Sequence, residues 1–440
     1  MSVLKETMMR RRTLLSAVPL AAAAGAGLAA CGSGGSDAQP DRLTYWASNQ
    51  GQSLDDDKQI LTPVLEKFTE DTGITVDLEV IGWTDLQTRI QTAITSGQGP
   101  DVVNIGNTWG VSLQATGGLY ELGDAEFETL GGKDRYVEAA LETAFAPDTQ
   151  PASVPLYGLA YGLYYNTEMF EAAGIAPPTT WEEMVAAAKA LTDPAAGVWG
   201  MSLAAGSYTE NVHFAFINAV QNGAQLSTED GSPDFTNDGV VDGVLRYLDL
   251  MQAEKVVNPS NAQFDSGTKS VTSFANGEAA MIINQNNAHA TIEANGMTAE
   301  QFAAVPFPAP AGAASQCASH LAGINIAVME STKNLDGALQ LIAHLTSSEV
   351  QAQLGKPFAA LPVLTDGEPT FTEDAEQAEM FLDVYRERAE PLPRVPWEDQ
   401  FESAVGQAMN EMFATIATGG TVTREDVTTA MQTAQDAIRA

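Results

Sequence analysis

Cysteine and cationic side chains are both scarce in this chain. Two cysteines, Cys31 and Cys317, occur in 440 residues. Cys31 closes the amino-terminal segment, so Cys317 has no partner beyond it, and a disulfide framework is excluded. A lone cysteine among mostly apolar neighbours reads as a packed residue rather than a nucleophile. Lysine and arginine total 21 against 57 acids, a formal net charge of −36. Up to Cys31 the charges are Lys5, Arg10, Arg11, Arg12 and a single Glu6, so the remainder is more acidic still. Such a surface repels phosphate backbones, and nucleic acid is not expected as a partner. The four histidines are scattered without metal-ligand spacing. H-E-x-x-H, G-x-S-x-G and a glycine-rich phosphate loop with its lysine are all missing. No metal, cofactor or catalytic residue is therefore assigned. No long apolar run follows Cys31, so no membrane span is expected there.

What is present begins at the amino terminus. Arg10-Arg11-Arg12 precede an alanine-rich apolar run, Leu14 to Ala30, which ends in Leu28-Ala29-Ala30-Cys31. A positive stretch, an apolar stretch and small residues before a cleavage point form a secretory signal. This one resembles a bacterial lipoprotein signal, which implies cleavage before Cys31 and a lipid on its sulfur. Residues 1–31 are read as the signal. Residues 32–40, rich in Gly, Ser and Asp, are read as a flexible tether. The chain is then expected at the cell membrane, lipid-anchored on the extracytoplasmic face. An uncleaved span is the competing reading, weakened by Pro19, Gly25 and Gly27. Arg11-Arg12-Thr13-Leu14-Leu15 also resembles a twin-arginine motif, and both export routes stay open.

Roughly 400 residues remain beyond the tether, too many for one core and suited to two. Hydrophobic content of 44% is enough to build them. Leu43 to Trp46 reads as a strand. Ile60, Leu61, Val64, Leu65 and Phe68 form one helical face that stops at Gly73. Ile74 to Val80 alternates as a strand, Leu86, Ile90 and Ile94 mark a second helix ending at Gly97, and Val102-Val103 opens a third strand. This order predicts an α/β fold with parallel pairing. In such sheets ligands sit outside the carboxyl ends of strands, which singles out the loops 48–51 and 104–109. Tyr157 to Asn166 reads as one aromatic strand. Thr180 and Glu183 are spaced as a capping box. Glu278 to Ile283 reads as a buried strand leading into Asn284-Gln285-Asn286-Asn287. Leu335 to Leu345 is helical, as is most of 374–440 around a proline-rich interruption at 391–397.

Several of these stretches resemble the extracellular solute-binding proteins that serve ABC importers, the group that includes the maltodextrin receptors. The matching segments are Phe68-Thr-Glu-Asp-Thr-Gly-Ile-Thr-Val76, Gly99-Pro100-Asp101-Val-Val, Gly117-Gly118-Leu119, and Tyr164-Tyr165-Asn166 with the helix start at Trp181-Glu-Glu183. Phe274-Ala-Asn-Gly277-Glu-Ala-Ala-Met281, Leu321-Ala-Gly-Ile-Asn325, Ser347-Ser-Glu-Val-Gln351 and Leu361-Pro-Val363 complete the set. The resemblance implies a two-lobed periplasmic-binding-protein fold of type II, with the chain crossing near 157–164, 305–323 and 355–363. The implied lobes are 41–158 plus 310–358, and 159–309 plus 359–440. It further implies a monomer that captures a small-molecule carbohydrate by hinge closure and hands it to the transmembrane subunits of an ABC permease, without catalysis.

Sugars are held by aromatic faces against their C–H surfaces and by amides or carboxylates against their hydroxyls. The expected cleft positions supply both. Ser48, Asn49 and Gln50 follow the first strand, and Asn107 and Trp109 the third. Trp83 precedes the second helix. Tyr161 lies on the crossing strand, Ser207 and Tyr208 in a Gly-led loop, and Gln285, Asn286 and Asn287 after the buried strand. Arg394 and Trp397 occupy the late proline-rich loop. Trp46 and Trp181 read as structural, and His213 and His320 as packed or solvent-facing. Maltodextrin-type receptors align a tryptophan with Asn287 and aromatics with Glu402 and Ser403. Their absence here favours a mono- or disaccharide over a long glucan. The alternatives are a non-sugar solute, such as a polyol or a glycerophosphodiester, and an exported glycoside hydrolase, which would need two carboxylates at a set spacing.

Overall fold

The computed structural model describes residues 41–51, 53–228 and 230–439. The signal, the tether and Cys31 lie outside the described residues. Among the described residues eleven strands follow in chain order: β1 (Arg42–Ser48), β2 (Thr75–Ile81), β3 (Val102–Gly106), β4 (Val154–Leu159), β5 (Tyr161–Asn166), β6 (Trp199–Ser202), β7 (Ala279–Gln285), β8 (Phe302–Pro306), β9 (Ser319–His320), β10 (Ala322–Val328) and β11 (Ala389–Glu390). They form a five-stranded sheet of order β2-β1-β3-β10-β4, a four-stranded sheet of order β6-β7-β5-β8, and the short pair β11-β9. Both larger sheets belong to one compact unit.

The first helix, Leu54–Thr72, shows why the opening strand-helix-strand unit forms. Ser53 caps it by accepting the Asp56 amide at 3.1 Å, and Leu61, Val64, Leu65 and Phe68 turn one face to the core. It stops at Gly73, whose φ of 76° suits a residue without a Cβ, and whose N–H satisfies the Thr69 carbonyl. β1 then pairs in parallel with β2 and β3, as the sequence predicts. Gly97 ends the second helix, Trp83–Ser96, in the same left-handed way.

The stretch expected as one aromatic strand is two. β4 pairs with β10 in the first sheet, while β5 pairs with β7 and β8 in the second, so the chain changes sheet at Ala160. Both strands run antiparallel to their neighbours, which makes each sheet mixed rather than purely parallel. The second passage between the sheets runs from β8 to β10. The third leaves the bridge Gly158–Leu361 and reaches the helix Ala375–Glu387, whose Phe381 and Tyr385 enter the core beneath β5.

At Thr180 the cap is shifted by one residue. Thr180 receives the Glu183 amide at 3.2 Å, but the Glu183 carboxylate turns to the amide and hydroxyl of Thr179. Trp181 is buried edge-on to Phe307, a structural role, while Trp46 is partly exposed beneath the Arg89 guanidinium. Cys317 is buried, its thiol pushed up to about 12 by desolvation.

One close approach sets the geometry of the second sheet's helices. The helix Glu398–Ala417 lies against Tyr208–Gln221, and a Cβ at Gly406 would overlap the Tyr208 carbonyl. Asn211 stitches the same two helices by donating to Asn410 Oδ1 at 2.7 Å. Among the described residues no helix is long and apolar enough to cross a membrane.

Candidate ligand-binding cleft

A cleft of about 690 Å³ opens between the two large sheets. It faces the carboxyl ends of β1, β3 and β7 and the starts of β5 and β10, where α/β sheets place ligands.

On the first sheet's side, Asn49 and Gln50 follow β1. Their loop is anchored by the fully buried Asp57, in the first turn of the helix Leu54–Thr72. Its carboxylate accepts from Asn49 Nδ2 at 2.9 Å, the Gln50 amide at 2.6 Å and the Gly51 amide at 2.7 Å. Burial still holds that carboxyl above its usual range. Trp83 Nε1 donates to the Asn49 carbonyl at 2.7 Å, and the Trp83 and Trp109 rings meet edge to face at 5.4 Å. Asn107 Nδ2 donates to the Leu321 carbonyl at 2.7 Å, tying the β3 loop to the returning chain.

On the second side, Ser207 caps the helix Tyr208–Gln221, which brings Tyr208, Glu210 and His213 to the cleft. Tyr208 is 36% exposed, one of two large hydrophobic residues so exposed among those described. Tyr161 Oη and His213 Nδ1 lie 3.0 Å apart, and the His213 and His320 rings stack at 3.9 Å. Burial, reinforced by His213, pushes His320 well below the usual imidazole range, so it is neutral near pH 7. Gln285, which pairs with Tyr161 across β5 and β7, and Asn287 complete this side. Glu402, 4% exposed, joins the two sides: it accepts from Trp109 Nε1 at 3.1 Å and stands 3.7 Å from His213 Nε2.

Acids, not bases, line the cleft. Glu210, Asp265 and Glu402 line it, and among the described residues no lysine or arginine does. Desolvation pushes the Glu210 carboxyl up to about 8, against the pull of the Gly267 amide. Asp265 is paired at the rim with Lys269 at 2.9 Å. Among the described residues no group of three or more His, Cys, Asp or Glu is placed to hold a metal ion.

Of the sequence-based candidates, Asn49, Gln50, Trp83, Asn107, Trp109, Tyr161, Ser207, Tyr208, Gln285 and Asn287 come together here. Four do not. Ser48 is buried behind the loop, bonded by Gln50 Nε2 at 3.1 Å and Asn104 Nδ2 at 3.3 Å. Asn286 is fully buried in the crossing: its Oδ1 accepts from the Ala160 amide at 2.8 Å and its Nδ2 donates to the Ala359 carbonyl. Arg394 lies over the Phe145 ring and donates to the Glu142 carbonyl at 3.3 Å, beside a separate cavity of about 20 Å³. Trp397 donates to the Gly231 carbonyl at 2.9 Å and packs edge-on to Phe235. Each of these polar groups has a backbone or side-chain partner that holds it away from the cleft.

Sequence reasoning missed Glu210, Asp265, His213, His320 and Glu402. A first-turn acid behind a serine cap is an ordinary helix start, so Glu210 carried no signal. His213 and His320 are packed, as expected, but against each other at the cleft wall. Glu402 reaches Trp109 only through folding.

The geometry is that of a two-lobed α/β protein with a cleft between the lobes. The profile of the bacterial extracellular solute-binding protein family matches residues 51–352, and the chain belongs to that family. A solute-binding protein from Thermotoga lettingae, solved with α-D-tagatose, superposes with a TM-score of 0.76 at 22% identity, covering 90% of this chain and all of that one. The erythritol/L-threitol-binding protein of Mycolicibacterium smegmatis is 24% identical over 340 residues, 69% of this chain and 70% of the relative. A binding protein of Brucella abortus is 25% identical over 183 residues, so the match spans 44% of that relative and 41% of this chain. The family and these relatives are binding proteins, not enzymes.

Proposed function

We propose that the chain is the receptor of an ABC importer, capturing a mono- or disaccharide by closure of its lobes and delivering it to the permease. The observation that carries this is the cleft itself. Its volume of about 690 Å³ falls in the range of small-molecule sites, and both sides supply aromatic faces and amides. Trp83, Trp109 and Tyr208 suit the apolar faces of a sugar ring, while Asn49, Gln50, Gln285 and Asn287 suit its hydroxyls. A ligand bridging both sides favours the closed state by its differential affinity for it. The lobes are taken as 41–158 plus 310–358 and 159–309 plus 359–440, acting as a monomer. A lipid on Cys31 would hold the receptor at the extracytoplasmic face of the membrane, beside the permease subunits it serves.

A polyol is the second reading, favoured by the erythritol/L-threitol-binding relative. A glycerophosphodiester is disfavoured, because phosphate would meet carboxylates and no lysine or arginine among the described lining residues. The test is a thermal-shift screen of the full chain in mild detergent against sugars, polyols and glycerophosphodiesters, with product analysis. A ligand that binds only the folded state raises the unfolding temperature. A rise with a sugar and no product supports the receptor. Turnover of a glycoside, or a rise with phosphodiesters alone, overturns it.

A further inference from the structure

The charges inside the cleft constrain the ligand further than its shape does. Glu210 and Glu402 sit on two helices that pack together, and both line the cleft beside Tyr161 and His213, whose Nε2 stands 3.7 Å from the Glu402 carboxylate. Neither is paired with a lysine or arginine among the described residues. Lys269 is engaged with the lining residue Asp265 at 2.9 Å. His320 is held neutral by its burial. An anionic ligand would be repelled. A neutral sugar would hydrogen-bond to these carboxyl groups but supply no counter-charge in a site of low dielectric. The aromatic residues at the same place, Trp83, Trp109 and the exposed Tyr208, present faces that attract cations as readily as sugar C–H groups.

We infer that the ligand is a carbohydrate bearing a protonated amine, an amino sugar whose ammonium is taken by Glu210 and Glu402. The inference rests on the carbohydrate-receptor reading and narrows it. The elevated Glu210 carboxyl fits: the site lacks a counter-charge, and an ammonium supplies one, returning the carboxylate to its charged form. Glu402 also couples that charge to closure. It already touches Trp109 across the cleft, so an ammonium at Glu402 is held where both lobes reach it.

The experiment is isothermal titration calorimetry on the full chain in mild detergent, with sets matched at one carbon. The probes are glucosamine, N-acetylglucosamine and glucose, and their β-1,4-linked disaccharides, at two salt concentrations. The amines are expected to bind roughly tenfold tighter than their acetylated and hydroxyl counterparts, with an affinity that falls as salt rises. Glu210→Gln is expected to erase the preference, so that on this variant the amines bind no more tightly than the neutral members measured beside them. Glu402→Gln serves if that variant unfolds. Neutral members binding as tightly as the amines would overturn the inference and leave the carbohydrate receptor standing. Binding of no member, amine or neutral, would overturn the inference, and the screen across sugars, polyols and phosphodiesters then decides the receptor reading.

Discussion

Trp109 Nε1 donates a hydrogen bond to Glu402 Oε2 at 3.1 Å, across 293 positions of sequence. The indole belongs to the turn after β3 in the first sheet, and the carboxylate to a helix packed on the second. This bond joins the two sides of the cleft and fixes the Trp109 ring, edge to face with Trp83, in its wall.

Trp109→Ala removes a stacking face and the bridge together. Truncation of a buried aromatic anchor costs on the order of 2 kcal/mol or more in binding, so ligand affinity should fall about 30-fold or more. Titration calorimetry with the ligand found by screening measures it. An affinity within a factor of three of the parent would remove Trp109 from the site.

Asn286→Ala should behave in the opposite way. This side chain joins the Ala160 amide to the Ala359 carbonyl inside the crossings and lines no part of the cleft. Its loss strands a buried donor and acceptor, at a cost of about 1–3 kcal/mol of folding stability. A lowered urea midpoint with ligand affinity little changed is the expected pair of results.

Asp57→Ala releases three donors at once, those of Asn49, Gln50 and Gly51. The loop that presents Asn49 and Gln50 loses its anchor without losing a ligand group. Binding should weaken about tenfold through the entropy of reordering the loop on closure. Asp57→Asn keeps the shape and should restore part of that affinity, which distinguishes positioning from direct contact.

Glu210 gives stability a pH dependence of known sign. Its carboxyl is raised from the ordinary 4.5 to about 8 in the folded chain. Between those values the folded state holds a proton that the unfolded chain has released, so this group's contribution is present below about 4.5 and lost as pH rises through about 8. His320 and His289, both lowered by burial, act oppositely around the imidazole range, and Glu398, raised well above the carboxylate range, acts in the same sense as Glu210. The clean measurement is therefore the difference between the parent and Glu210→Gln. The variant should gain relative stability steadily from pH 5 to pH 8 in urea melts. A difference flat across that range would mean that burial does not raise this carboxyl.

The local chemistry of the chain was enough to set its elements. The apolar face from Leu61 to Phe68, the glycine at 73, the alternation from 74 to 80 and the helix from 335 to 345 are periodicities of 3.6 and 2 that water enforces wherever the segment lies. Most of the cleft was legible for the same reason, because loops after strands in an α/β sheet converge on one edge. The exceptions depend on partners far away in sequence. Nothing near Ala160 marks where the aromatic run divides between two sheets, since that division is a matter of which neighbours pair with it. Asn286, Arg394 and Trp397 are polar or aromatic loop residues like those that face the cleft, and only the tertiary structure supplied the Ala359, Glu142 and Gly231 backbone groups that turn them away. Glu402 became a cleft residue because Gly406 lets its helix close on Tyr208. Periodicity is a property of neighbours along the chain, whereas burial and charge pairing are properties of neighbours in space.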